Sequence, residues 1–167
     1  MIDRIYPPRL PRWLSSGGQN FEVVIASEAC YVRNIADKAF PNRLGETELK
    51  SFRRSLINNL EKSLRNFKLL ETDVLRGEDR KFLIERFSAP MELLDYPNGT
   101  ALFLSEDESK FVSINVLDHL RFRVALGGSC IEKAYRHARL MEEEFEKGMP
   151  FAYSDRYGFL TSRPTEC

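Results

Sequence analysis

Apolar residues recur at helical spacing between Glu46 and Phe67. Leu49, Phe52, Leu56, Leu60, Leu64 and Phe67 fall on one stripe and predict an amphipathic helix, with Thr47 placed to cap its start. A shorter helical stretch is expected over Arg80–Arg86, with Phe82 and Leu83 inward and Pro90 ending it. From Thr100 the period drops to two. Thr100–Ser105, Phe111–Val116 and His119–Leu126 read as three strands joined by short turns, an antiparallel meander. Val112, Ile114 and Val116 share one face. In the third strand Leu120, Phe122, Val124 and Leu126 point one way, and His119, Arg121 and Arg123 the other. That polar face either meets solvent with cross-strand ion pairs or floors an anion site.

Gly127 and Gly128 end the meander. Ser129 with Glu132 predicts a capping box for a helix running to Lys147, with Ile131, Ala134, Ala138, Met141 and Phe145 inward and Gly148 and Pro150 as its stop. Glu22–Ala26 is a short β-branched run, a predicted strand, and Gly158–Thr161 another. Residues 1–20 read as an irregular arm, because Pro7, Pro8 and Pro11 block helix and ladder alike, with Trp13 and Leu14 as its anchors. Residues 21–167 form the body. Strand, helices, antiparallel strands, helix and strand in that order predict an α+β fold, an antiparallel β-sheet with packed helices.

The 167 residues fit one domain and bury about 70% of the surface the unfolded chain would expose, so no staple is needed. Lys+Arg and Asp+Glu both total 25, and this zero net charge argues against a nucleic-acid partner. Of those cations 17 are Arg, a bias that suits phosphate or carboxylate recognition and ordinary ion pairs equally. Cys30, Cys130 and Cys167 are widely spaced with no metal pattern, which fits a reducing, cytoplasmic setting. No apolar run is long enough to cross a bilayer, so no membrane is expected.

Four segments in order carry a resemblance. Val23–Ile35 with Phe40-Pro41 resembles the pattern V-x-S-S-R-I-R-L-A-R-N-L then F-P. Phe82–Phe87 with Ser88-Ala89-Pro90 resembles L-V-E-R-H-L-I-S-P. Ser113–Arg121 resembles I-N-E-E-D-H-L-R, and Tyr157–Thr165 resembles G-Y-L-T-S-C-P-T-N. Together they are similar to the phosphagen (guanidino) kinases, above all the bacterial protein-arginine kinases, and span roughly residues 13–165. The resemblance implies transfer of the γ-phosphoryl of Mg-ATP to a guanidinium nitrogen. Arginines would neutralise the phosphates and a carboxylate would take the guanidinium proton.

Position by position, the chemistry departs from that pattern. Two phosphate-binding arginines fall on Glu28 and Cys30, while the third is present as Arg33. The paired glutamates fall on Val116 and Leu117, so no catalytic residue is assigned. Asp118, His119, Leu120 and Arg121 match, and Arg163 stands where the pattern has cysteine. The resemblance therefore implies Arg33 and Arg121 as candidate phosphate-binding residues and His119 and Arg163 as candidate substrate-pocket residues. Phe87 is nearest the adenine-side histidine. Of the remaining groups, His119 reads as structural, His137 as a surface residue and Cys30 as a small buried hydrophobe. Arg163 reads as a plug in the guanidinium site, and Glu142–Glu144 and Arg53-Arg54 as solvated charge.

The family pattern continues past Cys167 with further arginines, strands and helices, so the chain is expected to be a partial catalytic domain. The leading expectation is a degenerate kinase acting as a binding or regulatory module, with no cofactor assigned unless the family activity, and with it Mg-ATP, is retained. Such a module is expected to meet a protein partner or a second copy through an uncovered sheet edge. One alternative is an active or complemented phosphotransferase using Mg-ATP. The other is an arginine- or phosphoarginine-binding module without catalysis.

Overall fold

The computed structural model describes residues 10–15, 17–96, 98–163 and 165; Pro7, Pro8 and Cys167 lie outside them. The chain forms, in order, α1 (Arg12–Ser15), β1 (Ala26–Arg33), α2 (Glu46–Leu60), β2 (Phe67–Glu71), α3 (Gly77–Glu85), β3 (Ala101–Ser105), β4 (Lys110–Val116), β5 (Asp118–Gly127), α4 (Ile131–Glu146), β6 (Tyr153–Ser154) and β7 (Gly158–Phe159). Five strands make one antiparallel sheet in the order β1-β5-β4-β3-β2, and β6 and β7 pair separately as a hairpin. The predicted α+β architecture and the meander of β3, β4 and β5 are present.

Each sheet face packs its own core. Ala101, Phe103, Val112, Ile114, Leu120 and Phe122 meet Leu56, Ile57 and Leu60 of α2 and Phe145 of α4. On the same face Ala29 and Val124 pack on Ala134 and Ala138. The opposite face sets Leu102, Leu104 and Phe111 against Leu83 of α3 and Leu93. Such burial is worth roughly 1.5–3 kcal/mol per large aliphatic side chain.

Several boundaries differ from the sequence reading for identifiable reasons. Helix α2 stops at Leu60, and Ser63 and Leu64 hydrogen-bond back to Leu60 in a turn. Leu64 and Phe67 keep helical spacing only because that turn and β2 return them to the same core. The Gly45 N–H donates to Glu48 Oε2 at 2.9 Å, so Gly45 rather than Thr47 starts the helix. Strand β1 begins at Ala26 because Asn20 (φ 56°) turns the chain and its carbonyl accepts the Val23 and Val24 amides. Val23 is left 81% exposed. Asn115 (φ 56°) breaks the alternation of β4, so Val116 joins the second core, not that of Val112 and Ile114. Helix α4 starts at Cys130 without a side-chain cap, and Ile131 is exposed, not inward. The Ser129 amide instead donates to Gln19 O, where Gly128 (φ 75°) passes so close to Gly18 that no Cβ fits.

Candidate functional site

The pairing of β1 with β5 brings the first and third motifs together, with Cys30 opposite Arg123 and Val32 opposite Arg121. Alternation gives these two strands two unlike sides. Ala29 and Arg33 face α4. Glu28, Cys30 and Val32 face an open cleft of about 610 Å³, completed by Arg121, the β6–β7 hairpin, Thr161 and Arg163, and Tyr31 and Arg33 reach its edge.

On the α4 side the candidate Arg33 is buried. Its Nε donates to Glu142 Oε1 at 2.7 Å, and its guanidinium lies 3.7 Å from the centre of the Phe159 ring. Glu142 is therefore an ion-pair partner inside the fold, not solvated charge, and Phe159 with Tyr31 and Phe151 shields the pair. Arg53 is buried likewise, between Glu71 and Asp73 at 2.6 and 2.7 Å. The neighbouring motif residues form a polar knot. Asn34 Nδ2 donates to Asp118 Oδ1 at 2.6 Å, and the His119 amide donates to Asn34 Oδ1 at 2.9 Å. The Ser162 amide reaches the same Asp118 oxygen at 2.6 Å, which ties the fourth motif to the first and third.

His119 is fully buried beside Phe52. The Ile35 amide donates to its Nδ1 at 3.0 Å, so the proton sits on Nε2, 3.1 Å from Ala39 O. Burial pushes its pKa down to about 4 against the opposing pull of Ala39 O and Asp118. The imidazole is a neutral strut between β5 and the segment after β1. In the second motif Arg86 makes a two-pronged pair with Glu108 at 2.6 and 2.8 Å, and Ser88 Oγ donates to the same carboxylate.

On the cleft side the groups are of another kind. Glu28 pairs with Arg123 at 2.6 Å, and Arg123 also donates to Phe87 O. The polar face of β5 thus carries the expected cross-strand ion pair, Arg123 with Glu28, but holds it out of solvent. Arg121 and Arg163 both meet Glu92, at 3.6 and 2.8 Å. Burial raises the Glu92 carboxyl, but its own amide and the two guanidiniums outweigh burial and hold it below the usual carboxylate range. Cys30 is exposed, not the buried hydrophobe expected of it. Val116 is buried in the core, and Leu117 sits at φ 67° with its carbonyl accepting Ser162 Oγ. Neither side chain accepts a proton. Among the described residues no cluster of His, Cys, Asp and Glu is arranged for a metal, and no helix is long and apolar enough to cross a membrane.

The structure thus brings Arg121 and Arg163 together, sets Arg33, held by Glu142, at the edge of the same cleft, and places His119 in the fold behind them. The sequence reading missed Glu92, Glu142 and Asn34 as site-shaping residues. Asn34 lay inside a quoted motif, whereas no local pattern joins Glu92 to residues 121 and 163.

The profile of the ATP:guanido phosphotransferase C-terminal catalytic domain matches residues 48–167. A protein-arginine kinase of Syntrophomonas wolfei subsp. wolfei is 31% identical over 170 residues, which cover 98% of this chain and 47% of that protein. Another, of Geobacillus stearothermophilus, is 30% identical over 92% of this chain and 43% of its own length. Among solved structures, lombricine kinase superposes with a TM-score of 0.72 at 17% identity, over 95% of this chain and 50% of that one. The substrate-free duplicated taurocyamine kinase of Schistosoma mansoni gives 0.71 at 22%, over 92% and 24%. The chain spans about half the length of the protein-arginine kinases it matches. With four motifs in register, the antiparallel fold and the profile in agreement, the chain belongs to the ATP:guanido phosphotransferase family.

Proposed function

We propose that this chain is a non-catalytic binding or regulatory module built on the guanidino-kinase catalytic fold. One observation carries the reading. The arginines around the cleft are engaged by the chain's own carboxylates, Arg33 by Glu142, Arg123 by Glu28, and Arg121 with Arg163 by Glu92. Phosphoryl transfer depends on preorganised positive charge and an oriented acceptor. Here Glu28 stands at one phosphate-side position, Cys30 at another, and Val116 and Leu117 replace the carboxylates that would orient a guanidinium. Losing one such electrostatic group costs about 10²–10³ in rate, and several are replaced together.

The test pairs calorimetry of Mg-ATP binding with phosphotransfer from labelled ATP to free arginine and to an arginine-rich protein. The expected result is no turnover on either acceptor. Clear turnover overturns the reading and restores the active phosphotransferase.

A further inference from the structure

Two cationic side chains from distant parts of the sequence meet on one carboxylate. Arg121 stands on β5 and Arg163 on the segment after β7, and both turn to Glu92 on the single 3₁₀ turn Met91–Leu94. Each carboxylate oxygen serves a different guanidinium. Oε1 lies 2.8 Å from Arg163 Nη2, and Oε2 lies 3.6 Å from Arg121 Nη1. The first contact is a charge-assisted hydrogen bond, and the second is an ion pair beyond hydrogen-bond reach. The carboxylate is held as an oxyanion ligand would be, between two planar donor groups. Arg121 and Arg163 also line the open cleft, so an anion arriving from solvent meets the same donors.

The turn that carries Glu92 is anchored at its start by the buried Pro90 and at its centre by Leu93. Leu93 is fully buried, whereas Met91 is 73% and Leu94 43% exposed. A rotation of the Glu92 side chain alone would uncover both arginines and leave the sheet intact. At neutral pH the carboxyl stays ionised, for the reasons given above.

We infer that Glu92 is a built-in oxyanion that keeps the Arg121–Arg163 site closed, and that the site takes a phosphate-bearing anion once this carboxylate is neutralised or displaced. The inference rests on the non-catalytic reading and deepens it by naming the residue that gates its phosphate-side arginine. An internal anion competes with a free one at high effective concentration, so removing its charge raises the apparent affinity.

The test uses the full chain and the variant Glu92→Gln, which keeps the shape and removes the charge. Inorganic pyrophosphate is titrated calorimetrically at low ionic strength. Glu92→Gln is expected to bind at least about tenfold more tightly than the unsubstituted chain, the equivalent of one charge-assisted contact. That gain is expected to disappear in Glu92→Gln/Arg121→Ala and in Glu92→Gln/Arg163→Ala. Equal binding with and without the Glu92 charge sinks the inference, as does a gain that survives in either of these double variants. Circular dichroism checks the fold, and Glu92→Ala repeats the comparison should the Gln variant not fold. Parallel titrations with orthophosphate and ATP separate a free anion from a nucleotide as the source of the phosphate. Turnover by the unsubstituted chain would end the non-catalytic reading and leave this comparison standing. A missing gain would end the gate and leave the non-catalytic reading standing.

Discussion

On the α4 side of the β1–β5 pair, Arg33 is buried on Glu142, and Asn34, Asp118 and His119 are joined by short hydrogen bonds. On the cleft side the same two strands present Glu28, Cys30 and Arg121 to an open surface. The two sides also differ in what they have kept. Arg33, Asn34, Asp118, His119 and Ser162 agree with the family pattern and are tied into the fold, while Arg121 agrees with it at the cleft. Glu28, Cys30 and Arg163 depart from it at the cleft, and Val116 and Leu117 depart from it inside the fold. A buried polar group that loses its partner costs the whole of its desolvation, whereas a partly exposed one is rescued by water. The difference teaches that the surviving letters of these motifs encode an architecture, and that architecture persists where the chemistry has been replaced.

The sharpest way to break this contrast is to remove one partner on each side. Glu142→Leu strands a buried guanidinium and is expected to cost about 3–5 kcal/mol in urea unfolding. A loss under about 1 kcal/mol would make the α4 side no more structural than the cleft. Next in size is a pH effect. His119 titrates near 4 when folded and near 6.5 in its ordinary state, so its contribution is complete above pH 6.5 and is lost as pH falls from 6.5 toward 4. The expected drop is roughly 3 kcal/mol, and His119→Phe should flatten it in stability measured against pH. A drop that persists in the variant assigns the effect to other groups. Glu28→Gln, on the cleft side, is expected to cost less, about 1–2 kcal/mol, because the Gln amide oxygen still accepts from the buried Arg123 guanidinium and Arg123 keeps the Phe87 carbonyl. The smallest effect sets the baseline. Arg139→Ala removes an exposed pair with Glu143 on α4 and should change stability by no more than about 0.5 kcal/mol.

Much of the fold was legible because its periods are clean. A continuous apolar run marked β3, alternation marked β5 and most of β4, and the apolar stripes marked α2, α3 and α4. Strand β2 was hidden because Leu60, Leu64 and Phe67 satisfy helical spacing while the chain makes a turn and a strand. Val116 was misplaced because one left-handed residue, Asn115, shifts the register by one side. The candidate site was legible only in part. Motif letters identified Arg121, His119 and Arg163, yet a motif does not reveal a counter-ion. Glu142 sits in a run of three glutamates, and only the pitch of α4 against β1 sends this one inward. Glu92, far from both of its partners in sequence, is joined to them by the packing of a turn on a sheet.

The order of the sheet has a consequence in time. Strand β1 is made early but bonds to β5, and the Ser27–Gly128 hydrogen bond spans 101 residues. At a ribosomal rate of about 5–20 residues per second, β1 waits several seconds for its partner to be synthesised. Strands β3, β4 and β5 zip locally as they emerge, whereas β1 closes a long loop last. During that wait Tyr31, Val32 and Arg33 lack the strand and helix that will cover them. A nascent chain halted before Leu120 would therefore expose β1 to whatever binds unpaired strands, such as a chaperone or another nascent chain.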